Sequence, residues 1–225
     1  MFEWIRHGFA KKILLRDPAF GFLYQPDRSG ELVALDCETT GLDVFVDDII
    51  SIGAIRICGN RIVTSECLQL IVRPQAPVRD DSIVIHRLRP IDVASGMPIE
   101  EALTELLHFI GSRPLVGYYL EFDVTMINKY LWEWLGVSLP NKQIEVSGMY
   151  YDWKFKQQPG RYVDLRFDKI IDDLNLPEID QHDAFNDALM AAMVYLKLLA
   201  LSGKAKDRAA LAREALARAE LRAGL

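Results

Sequence analysis

The chain has 225 residues, half of them hydrophobic, with a net charge of −6 and three cysteines. That size and apolar share suit one domain of moderate size with a substantial core, and nothing in the composition calls for two. The charge is segregated: residues 31–202 hold 15 Lys+Arg against 26 Asp+Glu, whereas 1–30 (5 against 3) and 203–225 (6 against 3) are basic, which argues against broad, tight duplex binding through a basic face.

Residues 2–15 read as an amphipathic helix, with Phe2, Ile5, Phe9 and Ile13 on one side, ending near Asp17-Pro18. Arg6, His7, Lys11, Lys12 and Arg16 interrupt any apolar run of signal-peptide or membrane length. A cytoplasmic protein with no membrane span is therefore expected, and the helix should pack on its own domain or on a partner protein. Asp27-Arg28-Ser29-Gly30 marks a turn. Strands follow at about 31–37, 48–58 and 61–72, the last two joined by the tight-turn dipeptide Gly59-Asn60, which makes an antiparallel meander. Cys37, Cys58 and Cys67 fall within these apolar runs in no metal-binding spacing and are expected to be buried, reduced thiols.

A Pro-rich connection (Pro74, Pro77) leads to a short segment around Ile83 to Leu88, a helix from about 99 to 110, and a strand at 114–118 that runs into the helix headed by Asp123. Residues 140–163 suggest a strand near Ile144 to Met149. A loop follows in which Trp153, Lys154, Phe155, Lys156, Arg161 and Tyr162 interleave cations with aromatics, a pattern able to track a single nucleic-acid strand. Helices at 165–174 and 184–201 close the core, and an Ala/Leu seam from Lys204 predicts one more. Strands first, then helices alternating with strands, indicate an α/β domain with a mixed sheet over 31–202, between an N-terminal helical extension (1–30) and a C-terminal Ala/Arg-rich helix (203–225).

Four acids on these elements aim inward. Asp36 and Glu38 close the run Leu32-Val33-Ala34-Leu35 and, at two-residue spacing, share a face with Leu32 and Ala34. Asp123 heads a stripe with Ile127, Tyr130, Leu131 and Trp134, and Asp187 aligns with Ala184, Ala191, Val194 and Leu198. No lysine or arginine occupies a matching stripe position, and a buried carboxylate without a cation is costly to keep ionised. Divalent metal resolves the conflict, and two ions about 4 Å apart handle in-line displacement at phosphorus. His182, just before the Asp187 helix, can reach the mouth of the same site and take a proton near pH 7.

The segment Val33-Ala34-Leu35-Asp36-Cys37-Glu38-Thr39-Thr40-Gly41-Leu42 resembles the first motif of the DEDDh 3′–5′ exonucleases. Phe122-Asp123 resembles the second, and His182-Asp183-Ala184-Phe185-Asn186-Asp187-Ala188 the third, in which a histidine precedes the last aspartate by five residues. The likeness spans roughly 31–200 and is strongest toward proofreading subunits of the bacterial DNA polymerase III epsilon type and their stand-alone relatives. It implies a ribonuclease H-like fold and two-metal release of nucleoside 5′-monophosphates from 3′ ends, single-stranded or frayed, of DNA or short RNA. By that likeness Asp36 would bridge two Mg²⁺ or Mn²⁺ ions, Glu38 and Asp187 would serve one, Asp123 the other, and His182 would be the base. Thr39, Thr40, Gly41, Leu42, His86 and Phe122 would line the substrate, Leu42 as a wedge against the terminal base. A polymerase or other protein would be reached through the terminal helices. Where many relatives carry His-Asn, this chain has Tyr118-Tyr119, which alters the nucleotide pocket.

Two other readings compete. A haloacid-dehalogenase-type phosphatase would use Asp36 as nucleophile, but it prefers Asp where Glu38 stands and leaves the His182–Asp187 spacing unexplained. A non-catalytic interaction module has no need for inward-facing carboxylates.

Overall fold

The computed structural model describes residues 15–203; the helix expected over 2–15, but for its last residue, and the one expected from Lys204 lie outside the described residues. Five strands form one mixed sheet in the order β3-β2-β1-β4-β5. Strands β1 (Glu31–Thr39), β2 (Ile49–Cys58) and β3 (Arg61–Ile71) are the antiparallel meander, turning at Gly59 with φ 63°. On the other side of β1, β4 (Leu115–Gly117) and β5 (Gln143–Glu145) run parallel. Seven α-helices are described: α1 (Asp80–His86), α2 (Pro90–Ala94), α3 (Ile99–Ile110), α4 (Leu120–Leu135), α5 (Val146–Gln157), α6 (Phe167–Asp173) and α7 (Ala184–Leu201).

The alternation of β1 sorts the molecule into layers. Val33, Leu35 and Cys37 face α3 and α4, packing with Leu103, Leu106, Leu107, Ile127 and Leu131. Leu32 and Ala34 face the other way, onto Ala188, Ala191, Val194 and Leu198 of α7, with Ile170 of α6 and Tyr150 of α5 beside them. Burying whole rows of branched apolar side chains on both faces contributes the bulk of the stability, at roughly 25 cal/mol per Å² removed from water. Helix α7 is long and apolar enough by composition to cross a membrane, but its apolar length lies against β1 and β2.

Before β1, a 3-10 helix (Pro18–Tyr24), capped by the Asp17 side chain, inserts Phe20 and Leu23 into the α3/α4 layer, Phe20 edge-on to Trp134 at 5.0 Å. The turn at Asp27 is held by the Ser29 amide and hydroxyl, both donating to Asp27 Oδ1 (3.0 and 2.7 Å).

Two expectations are corrected. Only Gln143–Glu145 is strand in the 144–149 region, and the cationic-aromatic stretch from Val146 to Gln157 is helix α5 rather than strand and loop. There Lys154 is engaged inside the fold, paired with Asp173 at 2.7 Å and lying over the Tyr150 and Trp153 rings. The three cysteines are free, but only Cys37 is buried; Cys67 is exposed on β3, whose pattern is mostly exposed because it is the sheet edge.

Candidate active site

The site forms where β1 outruns its parallel neighbour. β4 pairs with β1 only at Val33 and Ala34, so the end of β1, from Asp36 onward, is open on that side. Into this gap comes the first turn of α4, and the Asp123 carboxyl accepts a hydrogen bond from the Cys37 amide, which β4 leaves unpaired. Asp36 and Glu38 stay in register with Gly53 and Ser51 of β2, and a bulge follows at Glu38/Thr39. Both carboxylates project toward α7, on the face the alternation requires.

Gly53 lets α7 close the arrangement. A Cβ at this position would lie 2.2 Å from the carbonyl carbon and oxygen of Ala184, so the first turn of α7 sits directly on the β2 backbone opposite Asp36. Asp187, one turn into the helix, thereby reaches the strand acids. Carboxylate oxygens of Asp36, Glu38 and Asp187 lie within 4.8 Å of one another, close enough to share a cation. Asp123 stands outside that trio yet close enough to be the largest neighbouring charge acting on Asp36.

The electrostatics follow from burial and crowding. Desolvation, then Asp123, Asp187 and Glu38, hold Asp36 well above the usual carboxylate range; desolvation raises Asp123 similarly. Burial and then Asp187 push Glu38 up to about 8, and burial pushes Asp187 up to about 6 against the opposing His182 amide and imidazole. Among the described residues, no lysine or arginine figures among the groups acting on these four.

Asp48, another buried acid a few residues away, shows what a satisfied carboxylate looks like here. Its oxygens accept from the amides of Gln75 (2.8 Å) and Ala76 (2.6 Å), the Tyr130 hydroxyl (2.7 Å) and Lys129 Nζ (3.3 Å), and these donors hold it below the ordinary range despite burial. The fold can therefore supply partners to a buried acid. At the site it supplies only backbone amides, from Cys37 to Asp123 and from His182 to Asp187 Oδ2, and Asp187 Oδ1 is buried with no hydrogen-bond partner.

His182 is exposed, with φ 65°, on the segment leading into α7; its amide donates to Asp187 Oδ2 at 3.0 Å. With Arg87 and residues 178–181 it lines an open cleft of about 450 Å³, tied across by the Arg87–Asp180 pair at 2.9 Å. His86, at the end of α1, is buried beside it. Its Nδ1 accepts the Leu88 amide (3.0 Å), and burial, then His182, hold it below the usual imidazole value. The neutral ring thus carries its proton on Nε2, which is buried without a partner.

The first-motif loop is built differently from the expectation. Thr40 is fully buried, and its hydroxyl donates to Asp47 Oδ1 and accepts the Asp48 amide (3.0 Å each), so its side chain shapes the loop and cannot meet a nucleotide. The Thr39 hydroxyl donates to the Gly41 carbonyl at 2.7 Å. Gly41 has no room for a Cβ, with Asp47 Oδ2 2.5 Å away. Leu42 is exposed and free to wedge, and Phe122 is partly buried against the α3/α4 layer.

Sequence reasoning missed Asp48, Gly53 and Glu145. Glu145 ends β5 and caps two helices: Oε2 accepts the Leu120 amide (2.9 Å) and Oε1 the Ser147 amide (3.1 Å), which fixes the α4 first turn where Asp123 sits. Gly53 left one signal, a glycine inside the β-branched run Ile49–Ile57.

The family model described as Exonuclease (RNase_T) matches residues 33–195. The chain belongs to this exonuclease family. That membership overturns the phosphatase alternative. Among curated relatives, a DNA polymerase III PolC-type from Caldanaerobacter subterraneus is 31% identical over 76% of this chain, which spans 12% of that much longer polymerase. The DNA polymerase III subunit epsilon of Aquifex aeolicus is 29% identical over 76% of this chain and 81% of its own length. Among solved structures, exonuclease X in complex with 5′ overhanging duplex DNA superposes with a TM-score of 0.61 at 22% identity, covering 80% of this chain and 99% of that one. The mixed five-stranded sheet is thus the ribonuclease H-like α/β fold of the exonuclease family.

Proposed function

We propose that the chain is a metal-dependent 3′–5′ exonuclease releasing nucleoside 5′-monophosphates from DNA ends, acting through two Mg²⁺ or Mn²⁺ ions. The observation that carries this reading is the contrast between Asp48, fully supplied with donors, and the Asp36/Glu38/Asp187 trio, half-buried, convergent and with no lysine or arginine beside it among the described residues. A hard, all-oxygen donor set and an orphaned Asp187 Oδ1 fit Mg²⁺ or Mn²⁺. Asp36, Glu38 and Asp187 would hold the ions together with Asp123. Bound there, the ions supply Lewis-acid polarisation of the scissile phosphate and neutralise charge at the leaving oxygen.

The chain's own residues do the rest. His182, exposed and held at the α7 entrance, takes the proton from the attacking water. The Asp187 carboxylate, accepting the His182 amide, fixes that segment over the site. Leu42, exposed, excludes water beside the terminal base, whereas His86 Nε2–H is buried and would donate to a phosphate oxygen only if the end of α1 moved aside. The names of the polymerase relatives support DNA as substrate and a polymerase as partner, and a cytoplasmic location accords with both.

The test is digestion of 5′-labelled and 3′-labelled DNA and RNA oligonucleotides with Mg²⁺, Mn²⁺ or EDTA, with Asp36→Ala as control. The expected result is a 5′-labelled ladder shortening from the 3′ end, metal-dependent and absent in the variant. Cleavage surviving EDTA or Asp36→Ala, or degradation from the 5′ end, would refute it.

A further inference from the structure

We propose that Tyr119, backed by Phe122, is the platform on which a nucleobase of the incoming single strand stacks; the proposal rests on the nuclease reading above and names a base-contacting residue for it. The two adjacent tyrosines have separate fates. The Tyr118 ring stacks on Phe167 at 4.4 Å and its hydroxyl donates to the Leu165 carbonyl (3.1 Å), so it belongs to the packing of α6. Tyr119 is 68% exposed, with its ring nearly parallel to Phe122 (15°, centroids 6.1 Å apart).

Its position breaks two local rules at once. Tyr119 is the residue before α4, with φ 55° and ψ 30°, a left-handed conformation that glycine and asparagine adopt readily and an aromatic residue does not. It is also the N-cap of that helix, where Ser, Thr, Asp or Asn would cap the free amides, and its side chain makes no capping bond. A large ring held exposed at local cost marks a place where the ring itself is used.

Geometry says for what. The Tyr119 ring, turned outward to solvent, stacks on Phe122, the residue next to the site acid Asp123, so it stands at the same start of α4. A strand whose terminal phosphate reached the acids would pass this ring. The domain's acidity leaves the phosphate backbone little to hold, whereas base faces are uncharged and stack on aromatic rings whatever their sequence.

The test uses the full chain and two readouts. Binding is measured by fluorescence anisotropy of a labelled single-stranded oligonucleotide with Ca²⁺, and turnover with Mg²⁺, each on normal strands and on strands with an abasic residue at successive 3′-proximal positions. Tyr119→Ala should weaken binding and raise KM about tenfold or more, with kcat changed far less, and Tyr119→Phe should restore both. One abasic position should cost the wild type as much as Tyr119→Ala does, and should cost that variant nothing further. Tyr119→Gly should raise Tm, by relieving the left-handed backbone, while binding as poorly as Tyr119→Ala. Unchanged binding and KM in Tyr119→Ala or Tyr119→Gly, or an abasic penalty equal in wild type and variant, would overturn the proposal. Binding that behaves as expected without cleavage would instead sink the nuclease reading alone.

Discussion

The metal-free protein should lose stability as pH rises from 5 to 8, and Glu38→Gln should reduce that loss. Glu38 rises from 4.5 in the unfolded chain to about 8 in the fold, so the native state binds the extra proton. Its contribution is complete below pH 4.5 and is lost as pH climbs through 8. At 1.36 kcal/mol per pKa unit the ceiling is a little under 5 kcal/mol. Asp187, raised from 3.8 to about 6, would add about 3 kcal/mol by the same conversion. The two cannot be summed, because each is raised partly by the other's charge or by shared neighbours. Glu38 alone thus accounts for up to about 5 kcal/mol, and Asp36 and Asp123, raised in the same direction, add to the loss, against the roughly 5–15 kcal/mol that holds a domain together.

Other groups leave this window readable. Asp48 is held below the usual range, so its contribution is complete above pH 4 and flat thereafter. His86, held below 6.5, runs the opposite way, since the unfolded chain releases its proton as pH rises toward 6.5 and the fold gains by it. Comparing wild type with Glu38→Gln at each pH cancels His86. The assay is urea unfolding of EDTA-treated protein across pH 5 to 8, repeated with Mn²⁺. Because the metal needs ionised carboxylates, Mn²⁺ should flatten or reverse the slope, adding about 2.7 kcal/mol at a hundredfold excess over Kd. A metal-free wild type whose stability is flat over this range and indifferent to Glu38→Gln would refute the account.

His182→Ala should keep Mn²⁺ affinity by calorimetry, because its backbone amide still reaches Asp187, while single-turnover hydrolysis slows roughly 10²- to 10⁴-fold; unchanged turnover removes His182 from the base role. Gly53→Ala should lower stability by about 1–3 kcal/mol and weaken Mn²⁺ binding, as the new Cβ lifts the α7 first turn and Asp187 with it. Gly148→Ala, in helix α5 with nothing within 4 Å, is the control and should leave metal binding alone. Asp123→Asn should depress the metal-dependent rate without lowering metal-free stability, since it relieves a crowded acid; a large loss of stability without metal would count against this.

What could be read from the chain alone follows one-sided burial. The meander and helices α4 and α7 bury a face, so their apolar residues repeat at two or at three-to-four, and an acid in such a row stands out; Asp36, Glu38, Asp123 and Asp187 were found that way. Helix α5 buries only Val146 and Tyr150, and the rest of its surface mixes rings with charges, so it left no period. Its start is set by Glu145, whose other partner is 25 residues away at Leu120. Thr40, Asp47 and Asp48 were illegible for the same reason. The donors to Asp48 come from positions 75, 76, 129 and 130, and no local pattern announces a partner that the fold brings from so far.

The placement of the acids sharpens the case for cations. Asp123 and Asp187 both stand in first turns of helices, where free amides and the helix dipole favour negative charge by about 0.3–2 kcal/mol. Both helices thus aim their positive ends at the cluster, and Asp123 and Asp187 each accept a backbone amide in addition. Even so, the carboxyls remain raised, because burial first, with crowding added to it, outweighs the polar support the backbone provides. One arginine at the Gly117–Leu120 turn or on the first turn of α7 would have neutralised the cluster and filled it. Those positions instead hold Gly117, Tyr118, Tyr119 and Leu120, and Ala184, Phe185 and Asn186 before Asp187, none of them cationic, so the charge is left to be matched by something that can arrive, bind oxygen, and bring a phosphate with it.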